Sequence, residues 1–189
     1  MKTILCILLA SLPLHAGTGE KIVAAARKQV GVTTSYDPAY VTLDYPNGDI
    51  PRDRGVCTDV LIRALRDGLS QDLQKLVNED MRKNFGVYPK QWGLSKPDKN
   101  IDHRRVPNLQ TYFKRKGCQL PKPKDGDVST FQPGDIVTCT VPPNLPHVMV
   151  VSDQKTADGK PLVIHNIGAG AREEDCLTRF PITGHYRWK

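Results

Sequence analysis

Three side chains have the types and settings for acyl-transfer chemistry: Cys57, His147 and His165. Cys57 stands in "DRGVCTDVLIRALRDGL", an amphipathic stretch that predicts a helix opening at the cysteine. A free thiol has a pKa of about 8.5 and must be activated to act as a nucleophile at neutral pH. Backbone N–H groups at a helix N-terminus favour the thiolate. An imidazole within reach can take the proton and later return it to a leaving amine. A third polar group then holds that imidazole in the right tautomer.

The two histidines have a strand context. "HVMVVSD" and "PLVIHNIG" are apolar runs separated by the polar turn "QKTADGK". A symmetrical hairpin centred on Thr156 sets Asp153 opposite Gly159 and His147 opposite His165. Opposed residues share a face of the sheet, with Cβ atoms roughly 4.5–5.5 Å apart. Nucleophile, base and orienting group would then be Cys57, His147 and His165, in that order. A packed core thiol with two hydrogen-bonded histidines is the bland alternative. Zinc held by the histidines with Asp59, Asp153 or Cys57 is a sharper rival, but no His-Glu-x-x-His pair or other tight ligand spacing supports it. No metal and no cofactor is expected.

Around these residues the pattern predicts a helix over Glu20–Val30 and the Cys57 helix, capped at Gly68. A third helix follows with Ser70 as N-cap, and a fourth begins near Pro107 and ends at Gly117. "QPGDIVTCTV" and "ITGHYRWK" add strands to the histidine hairpin, whereas "HNIGAGAREED" reads as a turn. Helices first and hairpin-linked strands afterwards predict an α+β fold, N-terminal helices packed on an antiparallel sheet. Tyr36 and Asp37, in "SYDPAY", are expected to line a cleft beside the Cys57 helix. Asp102, His103, Arg104 and Arg105 stand in a row, and an arginine there, Arg104, could hold a substrate carboxylate bidentately. Trp92 and Trp188 read as core anchors.

The 189 residues suffice for one domain with a sizeable core. Residues 1–16 differ in texture: Met1-Lys2, then "ILCILLASLPLHA", the pattern of a secretory signal peptide with cleavage after Ala16. The apolar run is shorter than the roughly 20 residues of a membrane-spanning helix. Export to the periplasm or medium follows, as a monomer with no transmembrane span. Losing Lys2 takes the formal charge from +7 to +6, which suits an anionic surface such as a cell wall. No basic run with interleaved aromatics suggests nucleic acid. Cys57, Cys118, Cys139 and Cys176 remain after cleavage, in no dense disulfide framework and with no Cys-x-x-Cys pair. If Cys57 stays free, at most one disulfide joins two of the others.

Taken together, "YPNGDIPRDRGVCTDVLIRALR", "DLQKLVNEDM", "YPKQWGL", "NIDHRRVPNL", "PGDIV", "HVMVVSD", "VIHNIGAG" and "ITGHYR" resemble the bacterial DUF1287 family over nearly the whole mature chain of residues 17–189, from about Ala25 to the C-terminus. That family is similar in turn to the NlpC/P60 and CHAP cysteine peptidases and amidases of papain-like fold. The resemblance implies a papain-like domain in which Cys57 matches the nucleophile, His147 the base and His165 the orienting residue. It departs at the nucleophile, where Val56-Cys57-Thr58-Asp59 replaces the usual Asp-Cys-Ser-Gly, so the resemblance does not define the substrate subsites there, for which Asp59 is a candidate substrate-binding residue beside Tyr36, Asp37 and Arg104. The residues from Ser70 to Gly117 also lack a counterpart there. The reading is an exported cysteine hydrolase acting on amide bonds of a peptidoglycan or peptide substrate. A non-catalytic envelope binding protein and a thiol acyltransferase are the alternatives.

Overall fold

A computed structural model describes residues 17–124 and 126–189. The expected leader, residues 1–16, and its expected cleavage point therefore lie outside the described residues. Helix α1 covers Thr18–Arg27 and stops short of Val30, because Val30 and Val32 face solvent and add no apolar contact to extend it. Two short parallel strands, β1 (Ser35–Tyr36) and β2 (Arg54–Gly55), lead to α2 (Cys57–Leu69). Then come α3 (Leu73–Asn84), a 3-10 turn over Asp102–Arg104 and α4 (Val106–Arg115). The remaining strands are β3 (Gln119–Leu120), β4 (Ile136–Val141), β5 (Leu145–Lys155), β6 (Pro161–Asn166), β7 (Ala171–Glu174) and β8 (Ile182–Tyr186).

Strands β3 to β8 form one antiparallel sheet in the order β3-β8-β4-β5-β6-β7. The α+β architecture expected from the order of elements is what forms. One face of the sheet, through Ile136, Val148, Val150, Ile164 and Tyr186, packs with the helices into the main core. The other face carries a smaller cluster of Val137, Cys139, Met149, Val151 and Val163, covered by Phe131, Cys176 and Leu177. Among the described residues no helix is long and apolar enough to cross a membrane.

Three local expectations change. Helix α2 does not end on Gly68 but on Ser70, which takes the left-handed cap at φ 57°. Ser70 is therefore unavailable to start α3, and Asp72 does so instead, its side chain accepting from the Gln74 N–H at 3.0 Å. "AREE" is strand β7 rather than part of a turn, pairing His165 with Arg172 and Val163 with Glu174.

Two polar anchors position the start of α2. Arg63, wholly buried, donates to Asp49 (2.9 Å), to the carbonyl oxygens of Ile50 and Arg54, and to Thr33 Oγ1. It thereby fixes the loop that delivers residues 49–56 to the helix. Asn166, at the end of β6, donates from Nδ2 to the carbonyl oxygens of Gly55 (2.9 Å) and Ser35 (3.1 Å). The strand that carries His165 and the chain entering Cys57 are thus tied directly. Gly55 is tightly enclosed here: an added Cβ would lie 3.1 Å from Asp59 Cβ and 3.2 Å from the Arg63 guanidinium, so the buried Asp59 and Arg63 side chains would have to give way by a few tenths of an ångström.

Candidate active site

Cys57 is the first residue of α2, only 5 % exposed, and borders an open cleft of about 260 Å³. Burial pushes its thiol pKa up to about 11. The backbone N–H groups of Val148, Thr58 and Cys57 itself oppose that shift, and the Asp59 carboxylate reinforces it. The depressed thiol pKa expected for an activated pair is therefore absent from the resting site: desolvation outweighs the helix N-terminus.

The contact with Val148 puts the sulfur one residue along β5 from His147. His147 itself is buried, and its Nε2 lies 2.8 Å from Nδ1 of His165. The hairpin register differs from the symmetrical one. Val150 pairs with Ile164 and Val151 with Val163, and the register shifts again before Lys155 meets Pro161. His147 is therefore two residues out of step with His165 rather than opposite it. A slip of two preserves the face, so the imidazoles still meet, on a diagonal within reach of ring side chains. Their planes stand at 72° with centroids 5.0 Å apart.

No motif along the chain marks the next member of the series. Nε2 of His165 lies 2.8 Å from Oε1 of Glu174, on β7. The carboxylate can only accept, so Nε2 of His165 carries the proton and its Nδ1 is an acceptor. His147 must then donate from Nε2, which leaves the lone pair of the neutral ring on Nδ1. One carboxylate thus sets two tautomers in series. Burial drives the His147 pKa down to about 3, with a smaller contribution from His165. Burial likewise lowers His165, against the pull of Glu174. The resting pair is thiol and neutral imidazole, and among the described residues no hydrogen bond joins Cys57 Sγ to His147.

Of the other residues singled out in the sequence, Tyr36 lines the cleft with Cys57, Trp92, Arg104, Arg105 and Pro146. Asp37 is occupied in a turn, its side chain accepting from the Ala39 N–H at 3.0 Å. Asp59 and Arg104 face each other in a buried bidentate pair, Nε to Oδ1 at 3.0 Å and Nη2 to Oδ2 at 2.9 Å. Asp59 also accepts from the Val56 N–H at 2.7 Å, which closes the first turn of α2. Arg104 donates further to the carbonyl oxygens of Asp37 and Ala39. Arg105, next in the chain, stacks its guanidinium 4.2 Å from the Trp92 ring centroid, so Trp92 belongs to the cleft wall rather than to the core.

Among the described residues the four cysteines, Cys57, Cys118, Cys139 and Cys176, are all free and buried. The side chains suited to a metal are not those expected. Asp153 is paired with Arg27, and Asp59 with Arg104. Instead His165, Glu174 and Cys176 bring their ligand atoms within 4.8 Å of one another, with Cys176 Sγ 3.4 Å from His165 Nε2.

Comparison with known proteins shows which family the chain belongs to. The model of the family described as "Domain of unknown function (DUF1287)" matches residues 23–188. The chain is 55% identical over 175 residues to "Uncharacterized protein YijF" of Escherichia coli strain K12, an alignment covering 93% of this chain and 84% of that protein. Its fold is similar to two crystal structures of an N-acetylmuramoyl-L-alanine amidase from Bacteroides uniformis ATCC 8492. The TM-scores are 0.52 and 0.50 at 16% and 15% identity, over 91% of this chain and 99% of each solved chain. The site built on Cys57, His147 and His165 thus sits in a chain that belongs to the DUF1287 family.

Proposed function

We propose that the protein is an exported cysteine hydrolase of papain-like type that cleaves an amide bond in peptidoglycan stem peptides or at their link to the sugar. The observation that carries this reading is the hydrogen-bonded series Glu174–His165–His147 at 2.8 Å per step, which ends on the residue beside Val148, whose N–H meets the Cys57 thiol. A merely structural pair of buried histidines needs no carboxylate to set both tautomers. The amidase fold of the solved neighbours, the basic charge and the leader-like N-terminus support the substrate class.

In this mechanism the Cys57 S–H proton passes to Nδ1 of His147 as sulfur attacks the amide carbon. The carbonyl π pair moves onto oxygen, and backbone N–H groups at the start of α2 stabilise it. Collapse breaks the C–N bond, and the amine leaves with the proton from His147. Water then attacks the thioester, giving its proton to His147, and the carboxylic acid and free thiol are released. With the thiol pKa near 11 and the imidazole near 3, proton transfer is uphill in the resting site and is coupled to the attack.

That mismatch also favours a second reading, a non-catalytic binding module on the same fold. A thiol acyltransferase would use the same residues with a different acceptor. Digestion of purified peptidoglycan with the mature protein and with Cys57→Ser separates the three. New amine and carboxyl ends that vanish in the variant support the hydrolase, transfer to an added amine supports the acyltransferase, and intact peptidoglycan with retained binding supports the module.

A further inference from the structure

We infer that Arg105, stacked on Trp92 beside Cys57, is a carboxylate-recognition residue, so that the cleft takes a ligand bearing a free carboxylate. This deepens the proposed function and rests on the same cleft. Arg104, the arginine that the sequence alone suggests, has its fork closed on buried Asp59. Arg105 differs. Its Nη1 makes a 3.2 Å bond to Oδ1 of Asp102, and among the described residues its Nε and Nη2 make none. Neither nitrogen is among the buried side-chain atoms that lack a partner, so both keep contact with solvent. The side chain is only 18% exposed, held between Asp102 and the Trp92 ring.

This is a pre-oriented half-fork rather than a mobile surface cation. Nε and Nη2 form one complete bidentate edge of a guanidinium, which matches the two oxygens of a carboxylate. The cleft wall adds Tyr36, Gln91 and Trp92 and contains no acidic residue. Asp102 is itself buried and already accepts from the Asp98 N–H at 2.6 Å and from Asn108 Nδ2. The charge at the mouth of the cleft is thus left positive and directional, and Trp92 restricts the guanidinium to one plane.

The test uses N-acetylmuramoyl-L-alanyl-D-glutamic acid and the same compound with its carboxyls amidated. Binding of each is measured by calorimetry to the mature protein carrying Cys57→Ala, with and without Arg105→Ala or Arg105→Lys. The free acid should bind roughly 10- to 100-fold more tightly than the amide. Arg105→Ala should erase that preference, and Arg105→Lys, which keeps the charge but not the fork, should restore only part of it. Equal affinity for the two compounds, no binding of either, or a preference that survives Arg105→Ala overturns the inference. Turnover by the wild type is followed in parallel. Carboxylate preference without cleavage defeats the hydrolase reading alone, and cleavage without preference defeats this inference alone.

Discussion

Arg104 and Asp59 meet through two hydrogen bonds of 2.9 and 3.0 Å with almost no solvent contact on either side. The pair joins the 3-10 turn before α4 to the first turn of α2, and so shapes the cleft without presenting a charge to it. Removing one partner strands a buried charge. Asp59→Ala or Arg104→Ala should each destabilise the fold by about 3–5 kcal/mol, whereas the double variant should lose less than the sum. Urea titration of the three variants measures this. Additive losses would mean that the two charges do not stabilise each other.

Glu174 acts at two removes from the sulfur. Glu174→Ala frees His165 to take either tautomer, so kcat on a muropeptide should fall about 10- to 100-fold with KM little changed. Loss of His147, the proposed base, should cost about 10²- to 10⁴-fold. Proton NMR of the imidazole N–H resonances gives a readout that packing alone would not move. The His165 Nε2 proton should shift or exchange away in Glu174→Ala.

The thiol should be slow at neutral pH. Since burial holds its pKa near 11, alkylation of Cys57 by iodoacetamide should keep accelerating above pH 9 in the unliganded protein. The thiolate is the reactive form. A plateau below pH 8 would contradict a desolvated resting thiol.

Acid should weaken the fold well above the carboxylate range. His103 and His147 are buried, with pKa values pushed down to about 3, and burial lowers His165 as well. The unfolded chain takes up these protons near pH 6.5 and the folded chain does not. Stability is therefore intact above that value and falls as pH drops below it, by up to about 1.4 kcal/mol per pH unit for each histidine. Urea midpoints at pH 7.5 and 5 should differ accordingly, and His103→Gln should shrink the difference.

Much of the scaffold is legible in the sequence because its signals are periodic. Val60, Leu61, Ala64 and Leu65 mark α2, and alternation along β4 with the apolar runs of β5 and β6 marks the sheet. The shared face of His147 and His165 follows from parity, which survives an error of two in register. What escapes is set by tertiary packing. "AREE" has no apolar alternation, and it becomes a strand only because β6 offers an open edge, so Glu174 has no local signature. The choice between Arg104 and Arg105 is likewise invisible along the chain. It turns on which of two neighbouring side chains points at Asp59 and which at Trp92. Ser70 and Asp72 are both good capping residues, and only the left-handed turn at Ser70 assigns their roles.

The tie from Asn166 to Gly55, and the pairing of β7 with β6, have a temporal meaning. The residues proposed for the chemistry are far apart along the chain, and Glu174 is made long after Cys57. A chain still emerging from the ribosome holds Cys57 long before it has the strand that sets the histidine tautomers. Until β7 docks, nothing holds the two imidazoles in fixed tautomers. A chain interrupted before β7 holds Cys57 and both histidines without the carboxylate that orders them.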